Sequence, residues 1–156
     1  PDNSRVLYSF ADENRQQIFS TNLQATDPQK LTDSLGINNW PNCSPDGKEI
    51  VFSSSRDGNF EIYLMQCDGS NAQRLTHNPL QDIRPRFSPD GKRIVFVGHR
   101  DGNSEIYVMD RDGTNLARVT HHPERDDYPD WHTDGKRLVV VSERGGRHDL
   151  YLVSVP

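Results

Sequence analysis

Three polar residues recur at a spacing of 44: Asn38, Asp82 and Asp126, with Asp127 beside the last. Each stands three residues before a proline, Pro41, Pro85 or Pro129. Carboxylates and amides gathered around a common axis lower the local potential. They would offer oxygen ligands to a hard cation, at Asp82 and Asp126 above all, or meet the cationic end of a partner. The same residue types also cap backbone N–H groups in turns. Four residues further on, Asn42, Arg86 and Asp130 form a second series at the same spacing. Three polar side chains of different charge suit a water-filled channel, or an Arg86–Asp130 pair between neighbouring units. Arg56 and Glu61, Arg100 and Glu105, and Arg144 and Asp149 flank equivalent turns, and we expect structural ion pairs there, each contributing at most about 1 kcal/mol if exposed. Among the six histidines, His77 and His121 are equivalent in register and so one unit apart, too far to share a metal unless both face the axis. No Ser-His-Asp arrangement, glycine-rich phosphate loop or zinc spacing stands apart from the repeat.

The elements that must position these residues follow from the repeat. Asp46-Gly47-Lys48, Asp90-Gly91-Lys92 and Asp134-Gly135-Lys136 are 44 apart, and the register extends back to Asp2 without insertion or deletion. Residues 45–88 and 89–132 are identical at 24 of 44 positions. Within a unit, Asp90-Gly91, Asp101-Gly102 and Asp112-Gly113 bracket the apolar runs Ile94–Val97 and Ile106–Met109. Asp-Gly between β-branched runs is a hairpin signal, because glycine takes the positive φ that such turns need. Each unit therefore reads as an antiparallel meander of four strands, a to d: Arg84–Ser88, Arg93–Val97, Glu105–Met109 and Ala117–Thr120. Strand b is an unbroken apolar run, as expected when both faces are covered. Strand d is short and half polar, which suits an outer edge.

Four strands in a repeat of about 40–45 residues is the arithmetic of a propeller blade. The repeats 1–44, 45–88, 89–132 and 133–156 then supply 14 strands in all. The first repeat lacks strand a and the last lacks strand d. The expected fold is all-β, a partial β-propeller of about three and a half four-stranded antiparallel blades forming one domain over 1–156. In such an array the loop entering strand a opens onto the central channel. Two end faces would lie bare, to be covered by further blades of a longer propeller or by a homo-oligomer.

Ser-Pro-Asp-Gly-Lys (44–48 and 88–92), Ser-x-Arg-Asp-Gly-Asn-x-Glu-Ile-Tyr (54–63), Tyr-Val-Met-Asp-x-Asp-Gly (107–113) and Leu-Thr-His-Asn-Pro (75–79) together resemble the WD-like propeller repeat of the TolB family. The resemblance covers essentially the whole chain, while no region matches that family's separate N-terminal domain. It implies a channel engaged by a protein partner and by calcium, and a periplasmic or secreted location. Oligogalacturonate lyases, whose propellers look similar at repeat level, build a metal site from histidines, and that likeness would make His121, His122 and His132 the set here.

The 18 Lys and Arg against 23 Asp and Glu give a net charge of −5, which argues against nucleic acid or anionic membranes as partners. No apolar run approaches the length of a spanning helix, so no membrane insertion is expected. The chain begins at Pro1 in the middle of a repeat and reads as a mature, trimmed or excised fragment. Cys43 stands where its repeat partners have Phe87 and Trp131 and is expected as a small buried residue, with Cys67 exposed in a turn and no disulfide between them. These features point to a non-enzymatic scaffold that binds a protein or peptide partner at the rim or channel mouth. The rivals are the propeller portion of an enzyme, a lyase or a peptidase gate, and a purely architectural repeat of an envelope assembly.

Overall fold

The computed structural model describes residues 4–100 and 102–156. Asp2, at the start of the repeat register, and Asp101, of the second Asp-Gly turn, lie outside them. Fourteen strands form four antiparallel sheets. The first sheet is β1 (Arg5–Asp12), β2 (Arg15–Asn22) and β3 (Gln29–Lys30). The second is β4 (Asn38–Cys43), β5 (Glu49–Ser54), β6 (Glu61–Gln66) and β7 (Gln73–Arg74). The third repeats it as β8 (Asp82–Phe87), β9 (Arg93–Gly98), β10 (Glu105–Asp110) and β11 (Ala117–Arg118). The fourth is β12 (Asp126–Trp131), β13 (Arg137–Ser142) and β14 (Asp149–Ser154). Each sheet is a meander in sequence order, and the described residues contain no helix. This is a partial β-propeller of about three and a half blades.

The inner and outer strands differ most from expectation, while strands b and c of the third blade run one residue longer, to Gly98 and Asp110. Strand a begins two residues early, at Asn38, Asp82 and Asp126, so these residues open the inner strands and do not sit in the loops before them. Strand d keeps only two paired residues per blade. The turns are as expected where they are described. Gly91 and Gly113 take φ of 70° and 87°, and Ser88 closes the first turn by donating to Asp90 Oδ1 (2.6 Å) while accepting the Arg93 N–H (2.9 Å). Cys43 is half-buried, Cys67 is exposed, and no disulfide joins them.

Alternation on the pleat explains the core. Ile50, Phe52, Tyr63 and Met65 point from the second blade to Ile18 and Leu31 of the first. Val51, Ile62 and Leu64 point the other way, onto Ile94, Phe96, Tyr107 and Met109 of the third blade. The third and fourth blades meet through Val95, Val97, Ile106, Leu138 and Val140. A blade therefore has no solvent face when it lies between two others. At the two ends the same positions stand open: Leu150 and Leu152 are 73% and 52% exposed, against 0% and 3% for their equivalents Ile62 and Leu64.

This pair of sites tests the packing. Leu64→Ala should cost about 2–5 kcal/mol and Leu152→Ala less than about 0.5 kcal/mol, read as shifts of the urea midpoint. Equal shifts would show that the blades do not pack in this order.

Candidate functional site

The inner strands β4, β8 and β12 each carry a bulge opposite the neighbouring strand b. At each bulge a bulky residue adopts the left-handed backbone region: Trp40 (φ 53°), Arg84 (φ 56°) and Tyr128 (φ 50°). That conformation is rare for large side chains and costs of order 1–3 kcal/mol. The proline that follows each one narrows its choices further. The three side chains form a column across the blades. The Arg84 guanidinium carbon lies 5.1 Å from the Trp40 ring centre and 4.2 Å from that of Tyr128. Its Nη1 donates to both Asp127 oxygens at 3.1 Å and its Nη2 to the Tyr128 hydroxyl at 3.1 Å. Asp127 is buried and also accepts from Arg125 Nη2.

The bulge hangs from a buried polar lattice that recurs at each boundary. Between the second and third blades, Glu61 on β6 accepts from Arg74 Nη2 (2.7 Å), Thr76 Oγ1 (2.5 Å) and the Asn78 N–H (2.7 Å). Thr76 Oγ1 in turn accepts the Ile62 N–H (2.9 Å). Asn78 Nδ2 reaches across to Asp82 Oδ1 (3.2 Å), and Arg100 pairs with the other Asp82 oxygen. One boundary on, Glu105 takes Arg118 and Thr120, and Asp126 takes Arg144 at 2.8 Å. One boundary back amides replace the carboxylates: Gln17 accepts from Thr32 (2.8 Å) and Asn38 (2.8 Å), and Asn38 Oδ1 accepts from Arg56 (3.1 Å).

The expected pairs across the b–c turns are therefore replaced. Arg56, Arg100 and Arg144 reach inward to Asn38, Asp82 and Asp126, and each guanidinium also covers an aromatic ring: Arg56 lies 4.6 Å from Tyr63, Arg100 5.4 Å from Tyr107 and Arg144 5.0 Å from Tyr151. Glu61 and Glu105 turn outward to the strand-d arginines. Asp149, in a blade with no described strand d, pairs with the exposed Arg147. The turn puts Arg and Glu on opposite sides of the blade edge, and spacing alone does not reveal that.

Asn38, Asp82 and Asp126 are fully buried and do not form an open acidic ring. Calcium binds through six to eight oxygens. Each of these carboxylates already faces its own guanidinium, and no group of three His, Cys, Asp or Glu able to hold a metal exists among the described residues. The residues present do not fit that ion. His122 and His132 are held within their own loops: His122 Nδ1 accepts the Glu124 N–H (3.1 Å), and His132 Nδ1 lies 3.1 Å from Asp134. His122 stands where Asn78 stands one blade earlier, and Asp126 Oδ1 is left without a partner among the described residues.

The second series lies further down the inner strands. Asn42 Oδ1 accepts the Phe87 N–H from the next blade (2.8 Å). Asp130 is exposed and accepts the Trp131 N–H (2.9 Å). Arg86 is half-exposed and makes no ion pair with Asp130. Trp40, Arg84 and Tyr128 are candidate site residues that sequence reasoning missed. Their only signal is that each precedes the recurring proline at a spacing of 44; three different residue types concealed the shared backbone state.

The structure is thus a run of propeller blades, three of whose inner strands hold a bulky residue in the left-handed region at a bulge. The TolB beta propeller domain model matches residues 1–84, and the model of the tricorn protease N-terminal beta propeller domain matches residues 65–155. The chain belongs to the TolB-type β-propeller family. No curated protein matches it. Among solved structures it is similar to a putative TolB from Agrobacterium tumefaciens (29% identity, 97% of this chain and 57% of that one, TM-score 0.86). It is also similar to TolB from Acinetobacter baumannii (29%, 97% and 38%, TM-score 0.87). An oligogalacturonate lyase in complex with manganese shares the fold (21%, 99% and 46%, TM-score 0.75). The chain spans about half the length of the two TolB structures or less.

Two predictions follow from the lattice. Thr76→Val removes a hydroxyl donor from buried Glu61 and an acceptor from the Ile62 amide, and should cost about 1–3 kcal/mol with faster hydrogen exchange at Ile62; Thr76→Ser should restore both. Burial raises the Asp82 carboxyl above its usual value, against the opposing pull of Arg100. A raised acid contributes stability that is full below its unfolded pKa, near 3.9, and is lost as pH rises through the native value. Urea titrations from acid to neutral pH should thus show wild type losing stability relative to Asp82→Asn as pH rises. A relative gain would mean that the Arg100 pair outweighs burial.

Proposed function

We propose that this propeller is a non-enzymatic binding module that takes an extended segment of a protein partner at the mouth formed by its inner strands. One observation carries the reading: three successive blades hold a large side chain in the left-handed region at the same inner-strand position. Strain of that kind persists only where the surroundings over-determine it, and it clusters at ligand-binding sites. A channel-lining Gly would relieve it, yet Trp40, Arg84 and Tyr128 occupy the positions and contact one another. A column of flat aromatic and guanidinium faces beside unpaired charges offers stacking and directional hydrogen bonds to a peptide chain. The family supports the same reading and a periplasmic or secreted location.

A second reading makes the array the propeller portion of a larger enzyme, gating or presenting substrate. Its support is the match of residues 65–155 to the tricorn protease propeller model. In that case the mouth would still bind an extended chain, and the catalytic groups would lie on another domain.

Panning a displayed library of short unstructured segments tests the proposal. Enriched segments should bind wild type, lose binding to Tyr128→Ala and Trp40→Ala, and keep it with the rim variant Lys92→Ala. Binding that survives both aromatic variants, or a library with no enrichment, would overturn it.

A further inference from the structure

We propose that the boundary between the first and second blades is a binding site for a flat aromatic ring the size of an indole. It does not depend on the inner-strand reading above. The repeat itself shows what such a boundary normally contains. Where the third blade meets the second, Phe87 at the end of β8 joins the apolar cluster of Val51, Leu64 and Ile94. Where the fourth meets the third, Trp131 takes the same register position and packs against the cluster of Val95 and Leu138. Where the second meets the first, that position belongs to Cys43, and the place of Leu64 belongs to Ser20. Two members of one apolar cluster are thus both small at this boundary alone.

The smaller side chains leave a cavity of about 690 Å³, bordered by Arg5, Leu7, Ser20, Pro41, Cys43 and Ile50. Both small residues line it. Its apolar walls match those against which the other boundaries seat their rings: Leu7 is equivalent to Val51 and Val95, and Ile50 to Ile94 and Leu138. Val51 and Val95 are fully buried, whereas Leu7 stays half-exposed although it faces another blade. Apolar surface left in water on an inward face favours an occupant that removes it from solvent. The volume lies within the range of about 300–1,000 Å³ usual for small-ligand pockets, enough for a ring and the chain that carries it.

A second feature selects an aromatic occupant over an aliphatic one. On the third blade Arg93 reaches over the ring of Trp131, its guanidinium carbon 5.0 Å from the ring centre. Arg5 is the register equivalent of Arg93 and borders the cavity. Its Nε and Nη2 donate to Ser20 Oγ (3.2 and 3.1 Å) and its Nη1 to Asp27 Oδ2 (2.9 Å). The guanidinium is therefore held on the cavity wall before any ligand arrives. Hydrogen bonds use its plane and a ring stacks on its face, so the two are compatible. Asp46 and Asp68 also border the cavity, which turns away an anionic ring and leaves a neutral, electron-rich one.

The ring has two sources, a free heteroaromatic molecule or a tryptophan side chain of a bound segment, and the test separates them. Methyl resonances of Leu7 and Ile50 are followed by nuclear magnetic resonance in the whole chain. The probes are indole, a capped tripeptide with a central tryptophan, and cyclohexanol. At least one aromatic probe should move both methyl signals by its ring current and leave those of the exposed Leu150 and Leu152 in place. Movement by indole alone assigns a free molecule, and movement by the tripeptide assigns a side chain. Cys43→Phe should fill the cavity as Phe87 does, raise the thermal midpoint by about 2–4 °C and abolish the shifts. Ser20→Leu, filling from the opposite blade, should also abolish them. Arg5→Gln should weaken the aromatic probe about two- to fivefold. Shifts as large at Leu150 and Leu152, binding that survives both filling variants, cyclohexanol binding as tightly as indole, or no shift from either aromatic probe would overturn the site.

Discussion

Each blade is fastened to the next by a buried polar cluster, and the rest of the structure depends on it. The outer strand of a blade contributes only two paired residues, too few to hold that strand by ladder hydrogen bonds alone. A side chain on strand c (Gln17, Glu61 or Glu105) compensates by binding the strand-d threonine and, in the charged versions, its arginine. The first two clusters bond to Asn38 and Asp82, the first residues of their inner strands. Those two residues are thus pinned by a lattice and by a guanidinium, while Asp126 is held by the guanidinium of Arg144. Two residues further on the backbone enters the left-handed region. A strained bulge needs a rigid anchor on either side, and here the lattice and the following proline supply the two.

Leaving a buried carboxylate half-satisfied is costlier than having none. This explains why the clusters vary as units. Where the first boundary replaces Glu by Gln17, it also replaces Asp by Asn38, and the arginine of strand d is replaced by Lys30, which pairs with Asp12 and Asp33 at the surface. The charged boundaries keep Glu, Arg, Thr and Asp together. Asp126 departs from this rule: with His122 in the place of Asn78, one of its oxygens goes unpartnered among the described residues.

The fold was legible because its signals are periodic. The Asp-Gly turns, the apolar runs of strands b and c, and the 44-residue register locate each blade before any coordinate is known. The site was less legible, since its decisive features are not residue types. Asp82 and Asp126 look like channel ligands from their spacing, yet starting the strand two residues earlier buries them beneath Arg100 and Arg144. Arg56 and Glu61 look like partners five apart, yet the hairpin sends them to opposite neighbours. Trp40, Arg84 and Tyr128 share a backbone conformation that no composition rule predicts for Trp, Arg or Tyr. Cys43 could be placed by register in an aromatic position, but the cavity beside it emerges only once Ser20 is found on the facing wall.

The central claim is that the lattice couples neighbouring blades through one continuous set of bonds. A double-mutant cycle of Thr76→Val and Arg100→Gln measures it most directly, because Thr76 lies on the second blade, Arg100 on the third, and Glu61, Asn78 and Asp82 join them. From urea unfolding, the account predicts a coupling energy of at least about 0.5 kcal/mol. Stability losses that simply add, to within about 0.3 kcal/mol, would contradict it.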